Sequence, residues 1–218
     1  DYSTGLHERT SSNGFNVSCM AVSNSGTIML GASTQFRELL SMNDSSSVLR
    51  ASVTNMVFIE QIEDSGNGYW ILAGRNSGNE LTFASVNKTT FAVTNSTLAL
   101  AGNDTSIGAL AAHQSGDGNF YFSSAQKVGT TVTIRTFLVA SDGLITSVGV
   151  SSPITSFFAS NTSAVSLAKA HSGFYAVGQS TTAGNTRVMF FNSDNIPVML
   201  DQYDTTAITM SNSLVSIG

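Results

Sequence analysis

Hydrophobic residues along this chain fall in short runs separated by Gly, Asn, Ser and Asp, and the runs recur in groups of four. The second run of each group is the most distinct, because it opens on glycine and continues through aromatic and aliphatic residues: Gly26–Gly31, Gly68–Gly74, Gly118–Ser123 and Gly173–Gly178. A shorter apolar run precedes each one, at Val17–Val22, Met56–Ile62, Ile107–Ala112 and Ala164–Ala170. A third run follows, at Phe36–Leu40, Leu81–Val86, Ile134–Ala140 and Arg187–Phe191. A fourth returns at Val48–Val53, Phe91–Thr94, Leu144–Val150 and Ile196–Leu200. Between third and fourth stand Asn43-Asp44, Asn87-Lys88, Asp142-Gly143 and Asp194-Asn195, pairs that tolerate the positive φ of a two-residue hairpin. No stretch keeps the period of an amphipathic helix.

Four hairpin-linked strands, repeated at spacings of 42, 50 and 55 residues between the leading glycines, predict an all-β, β-propeller-like fold with four clear four-stranded blades. The blades are expected at about 15–54, 55–104, 105–161 and 162–204. Residues 205–218, with Thr206–Met210 and Leu214–Gly218 as two further apolar runs, have the character of a partial fifth blade. Residues 1–14 form an N-terminal arm suited to closing that blade or to acting as a donor strand. A sheet edge left open attracts a partner, so the expectation includes self-association by strand complementation.

The order of polar turn, Gly-aromatic-apolar strand, apolar strand and Ser141-Asp142-Gly143 or Ser193-Asp194-Asn195 turn resembles the degenerate propeller repeats of secreted microbial surface proteins. The resemblance spans roughly residues 15–200 and implies a fold and an extracellular setting, with no specific activity. The segment Ser115-Gly-Asp-Gly-Asn-Phe-Tyr-Phe122 echoes the Asp-box of sialidase propellers. It falls between first and second strands, whereas that motif belongs between third and fourth, so it is taken as accidental.

Composition sharpens the setting. Only 11% of the 218 residues are charged, the formal charge is −5, and 34 Ser and 24 Thr take the place of the missing charges. Three lysines in so acidic a chain offer no electrostatic footprint for nucleic acid. No apolar run reaches the length of a membrane-spanning helix, so no membrane insertion is expected. Asp1–Gly5 lacks both an initiator Met and a basic-then-apolar signal, which is expected of a chain that starts after processing or at a boundary of the expressed segment. Cys19, the single cysteine, has no internal disulfide partner and sits in an apolar alternation, as a buried inert thiol would.

Candidate chemistry is sparse. His113 and His171 each end the first strand of a unit, at the expected mouth of a central channel, while His7 lies in the N-terminal arm. Glu60, Glu63 and Asp64 occupy the comparable end of unit two; strand alternation puts Glu60 and Glu63 on opposite faces. No close-spaced metal-ligand pair and no phosphate-binding glycine loop is present, so no metal, cofactor or catalytic residue is assigned. Trp70 and Tyr69, with Phe120, Tyr121, Phe174 and Tyr175, begin second strands, where aromatics serve either inter-blade packing or sugar stacking. Trp70, Tyr69, His113 and His171 are therefore the candidate ligand-binding residues. Six Asn-x-Ser/Thr sequons, at Asn16, Asn43, Asn87, Asn95, Asn103 and Asn161, fall at turns or connections and are candidate glycosylation sites.

These features lead to an expected non-enzymatic extracellular or cell-surface module, structural or adhesive, self-assembling or bound to other surface proteins. A carbohydrate-binding propeller is the alternative. A glycoside hydrolase or lyase, using Glu60 or Glu63 with His113 or His171, is the second alternative.

Overall fold

In the computed structural model the described residues are 16–41, 46–100, 108–114, 119–128, 131–150, 165–170, 173–179, 186–192 and 196–205. They form sixteen strands and no helix. Blade 1 holds β1 (Cys19–Val22), β2 (Ile28–Ala32), β3 (Gln35–Leu39) and β4 (Ser47–Ser52). Blade 2 holds β5 (Phe58–Asp64), β6 (Tyr69–Arg75), β7 (Leu81–Asn87) and β8 (Val93–Leu100). Blade 3 holds β9 (Gly108–Gln114), β10 (Phe120–Val128), β11 (Thr131–Val139) and β12 (Ile145–Val150). Blade 4 holds β13 (Val165–Ala170), β14 (Gly173–Gln179), β15 (Thr186–Asn192) and β16 (Met199–Thr205).

Each blade is an antiparallel meander in which strands adjacent in sequence are adjacent in the sheet. The first strands touch in succession, β1 against β5, β5 against β9 and β9 against β13, which is the radial stacking of a propeller. The fold is thus all-β and propeller-like, with four-stranded blades, as the periodic runs predict. The expected fifth blade and most of the N-terminal arm, 206–218 and 1–15, lie outside the described residues.

Blade 2 shows why its strands read as continuous apolar runs. Alternate residues of β6 enter different cores: Trp70 and Leu72 pack between blades 1 and 2, Ile71 and Ala73 between blades 2 and 3. The same division holds on β7, where Ala84 and Val86 face one core and Leu81 and Phe83 the other. A strand buried on both faces has no polar side to alternate with.

The turns follow local chemistry. Gly26 and Gly68, just before second strands, have φ of +83° and +92°, which accounts for the glycine that opens those runs. Gly143 turns at +85° within the Asp142-Gly143 hairpin, with Asp142 Oδ1 accepting the Leu144 N–H. Asn87-Lys88 departs from the two-residue turn expected there. Asn87 Oδ1 accepts the Thr89 and Thr90 N–H groups, and the chain closes a longer loop in which Phe91 takes the positive φ. The Asn43-Asp44 and Asp194-Asn195 turns lie outside the described residues.

Candidate functional site

The innermost strand of blade 2 contains an irregularity that sequence alternation does not announce. Ile59 pairs with Gly74 and Gln61 with Ala73, so Glu60 is the extra residue of a β-bulge. The bulge changes the parity of the strand, and Ile59 and Ile62, three residues apart, both enter the core between blades 1 and 2. Glu60 Oε1 meets Arg75 Nε at 3.3 Å. Arg75 follows Gly74 on β6 and shares its side of the sheet with Ala73 and Ile71 of the core toward blade 3. Glu63 pairs with Ile71 and therefore lies on that side too. The bulge breaks the simple alternation on which the opposite facing of Glu60 and Glu63 was expected. Bulges re-aim side chains in this manner, and they recur beside active sites.

The backbone around the bulge is clamped from blade 1. The Ile59 N–H donates to the Ser33 carbonyl at 2.8 Å, and Ser18 Oγ donates to the Ile59 carbonyl. Ser33 delivers its carbonyl from a left-handed conformation, φ +54°. Cys19 Sγ sits 3.6 Å from the same Ile59 oxygen and fills the space left by Gly31, where an added Cβ would stand 2.5 Å from the sulfur. Burial pushes the Cys19 thiol up from 9.0 to about 11, which makes it a poor nucleophile at neutral pH. Burial also raises the Glu60 carboxyl above its ordinary value, against the opposing pull of the Arg75 guanidinium. A carboxyl whose proton affinity is raised by partial burial is better suited to proton donation than a free one.

The other candidates are placed as follows. Trp70 is only 2% exposed, with Phe36 at 6.2 Å on one side and Lys88 Nζ 5.0 Å from its ring centroid; Lys88 is also ion-paired to Asp64. Tyr69 reaches across to blade 3, its hydroxyl donating to the Ser141 carbonyl at 3.0 Å. Both rings are therefore engaged in holding blades together. His113 pairs with Tyr121 on β9, the first strand that packs beside β5, and His171 lies outside the described residues. Asn16 and Asn95 are exposed, Asn87 is half-buried in its loop, and Asn43, Asn103 and Asn161 lie outside the described residues. No group of three His, Cys, Asp or Glu side chains among the described residues is arranged to hold a metal.

Two residues that sequence reasoning passed over border this region. Phe58, the first residue of β5, is 57% exposed although the apolar run around it reads as core. Gln35, at the start of β3, holds its Oε1 2.8 Å from Arg37 Nη1. Neither carried a sequence signal: by simple alternation Phe58 shares its phase with the buried Ile62, and only the bulge separates them.

No known protein family matches the chain, and no curated protein matches it. Solved structures do. The chain is similar to an α-L-arabinofuranosidase from Clostridium thermocellum, at 15% identity and a TM-score of 0.50, over 86% of this chain and 71% of that one. It is similar to a protein from Lactobacillus plantarum, at 16% identity and a TM-score of 0.49, over 87% of this chain and 55% of that one. It is also similar to an exo-β-1,3-galactanase from Phanerochaete chrysosporium, at 11% identity and a TM-score of 0.47, over 85% of this chain and 48% of that one. The chain thus spans about half the length of the last two structures. At such identities the likeness establishes the fold.

These comparisons correct the expected non-enzymatic, self-assembling structural or adhesive module and, with it, the expected absence of an enzyme. The solved structure with a TM-score of 0.50 is an α-L-arabinofuranosidase, which agrees with the second alternative and not with the main reading. The physical reason for the error is plain. The expectation rested on the lack of a clustered catalytic motif in the sequence, and the strand irregularity at Glu60 carries no sequence mark.

Proposed function

We propose that the protein is a glycoside hydrolase in which Glu60 is the general acid and Glu63 the general base. Glu60 protonates the departing glycosidic oxygen, and Glu63 takes a proton from the attacking water. The observation that carries this reading is the half-buried Glu60 carboxyl, raised above its ordinary value and presented by a bulge on an innermost strand. With the bulge discounted, two strand steps of about 3.3 Å separate Glu60 from Glu63. Arg75 Nε, 3.3 Å from Glu60 Oε1, positions that carboxyl.

The substrate in this reading is a neutral glycan outside the cell, with an arabinofuranoside as the first class to try, after the arabinofuranosidase that the chain is similar to. A surface rich in Ser, Thr and Asn and poor in charge suits such a polymer and such a setting. The test is a panel of p-nitrophenyl glycosides that includes the α-L-arabinofuranoside and the β-D-galactoside. Glu60→Gln and Glu63→Gln should each lower kcat/KM by roughly 10²–10⁴ without lowering the melting temperature. A measured turnover that survives both substitutions overturns the assignment.

A further inference from the structure

Beside the Ile59 clamp lies a pocket of about 380 Å³, formed where the start of β1, the β2–β3 turn and the start of β5 meet. Its lining includes the carboxamides of Asn16 and Gln35, the hydroxyls of Ser18 and Ser33, and the apolar side chains of Val17 and Phe58. Among the described residues that line it, none is charged. A small cleft with one exposed aromatic, two carboxamides and two hydroxyls matches the needs of a single sugar ring. The C–H face of the ring takes the aromatic, and its hydroxyls take neutral donors and acceptors. A phosphate or carboxylate ligand would find no cation among the described lining residues, the nearby Arg37 being engaged with Gln35 and Ser47. A purely apolar ligand would leave the carboxamides desolvated without partners.

The position ties the pocket to the chemistry. Ser18 and Ser33 are the same residues that hold the Ile59 peptide from both ends, and Phe58 and Glu60 flank Ile59 on β5. We infer that this pocket is a neutral-sugar subsite, in which Phe58 stacks against the sugar ring and Asn16 and Gln35 bind its hydroxyls. The Gln35 Oε1 is engaged by Arg37 Nη1, which orients the carboxamide and turns its N–H₂ end to the work of donation. The inference rests on the hydrolase reading for the sugar's role as substrate, while the binding itself is independent of turnover.

The experiment separates the two. Isothermal titration of the full chain with α-1,5-arabinotriose and with β-1,3-galactotriose is repeated on Glu60→Gln, Phe58→Ala, Phe58→Trp and Gln35→Ala. At least one trisaccharide should bind the parent and Glu60→Gln alike. Phe58→Ala and Gln35→Ala should weaken that binding at least tenfold, and Phe58→Trp, which keeps a stacking face, should restore it. Because Phe58 is largely exposed, Phe58→Ala should melt with the parent; if it does not, the Trp and Gln35 variants decide. Binding that follows this pattern without any turnover leaves the subsite standing and removes the hydrolase. Turnover whose KM is untouched by Phe58→Ala and Gln35→Ala, or a parent that binds neither sugar, overturns the subsite.

Discussion

Blade 2 faces two neighbours, and the two seams are built differently. Toward blade 3 the seam is closed by phenylalanines: Phe83 lies 5.1 Å from Phe122 and 4.6 Å from Phe137, and those two stack at 4.9 Å. Neutral hydrogen bonds stitch its rim, with Tyr69 Oη donating to Ser141 O, Ser85 Oγ to Gly143 O at 2.6 Å and Asn67 Nδ2 to Val139 O at 3.2 Å. Toward blade 1 the core is mostly aliphatic around Trp70 and Phe36, and charges enter at its margins. Arg50 pairs with Glu38 and stands 4.7 Å from the centroid of Phe91, and Lys88 joins Asp64 to Trp70. The pocket and the clamped Ile59 peptide beside Glu60 open on this second seam. The blade 3 side of the core is closed by aromatic rings, while the blade 1 side admits charges at its margins and opens into the pocket.

The sharpest way to break this contrast is to hollow the aromatic seam. Phe137→Ala removes the ring that contacts both Phe83 and Phe122, and should cost about 3–5 kcal/mol in urea unfolding. A loss below about 1 kcal/mol would mean that the aromatic cluster does not bear on stability as its geometry implies. A smaller effect is expected from Gly143→Ala. The residue sits at φ +85°, and a Cβ there would stand 2.6 Å from Tyr69 Cε1 and 2.7 Å from Ser85 Oγ. The left-handed backbone alone costs about 1–2 kcal/mol for a residue with a Cβ, and the thermal melt should fall further as Tyr69 and Ser85 lose their contacts. Equal melts for Gly143→Ala and the parent would show that blade 3's hairpin is not seated on blade 2.

The smallest effect is expected at Glu60, next to the clamped Ile59 peptide. Burial holds the folded Glu60 carboxyl above its ordinary range, so the folded state binds that proton more tightly than the unfolded chain. Stability from this group is complete below the unfolded value and is lost as the pH rises through the folded one. Glu60→Gln cannot ionise and escapes that loss. Its melting temperature relative to the parent should therefore climb between pH 4 and pH 7. A relative fall over that interval would mean that the Arg75 ion pair outweighs burial, reversing the assignment of Glu60 as the general acid.

The architecture was legible because propeller strands are short, repeated and punctuated by residues with turn chemistry. Gly26, Gly68 and Gly143 are where the backbone demands positive φ, and the sequence displays them as glycine. The candidate site was legible only in part. Glu60 and Glu63 stand out as carboxylates in an apolar run, yet their relative facing depends on a bulge, and no residue type marks one. The aromatic Trp70 drew attention by its rarity, although it packs at 2% exposure, while the plainer Phe58 is the ring left in solvent. Which of two strand phases is buried is decided by the neighbouring blade, and that pairing is not written in local composition.

The fit of Cys19 into the space above Gly31 has a practical consequence. The chain holds a single thiol, and it lies against Ile59 at the seam where the pocket opens. Cys19 is half-buried there, so parting of blades 1 and 2 should speed its reaction with a disulfide reagent, and its labelling rate reports on that seam in the unmodified protein. The measurement requires no introduced probe, and a sugar seated between the blades would slow the labelling.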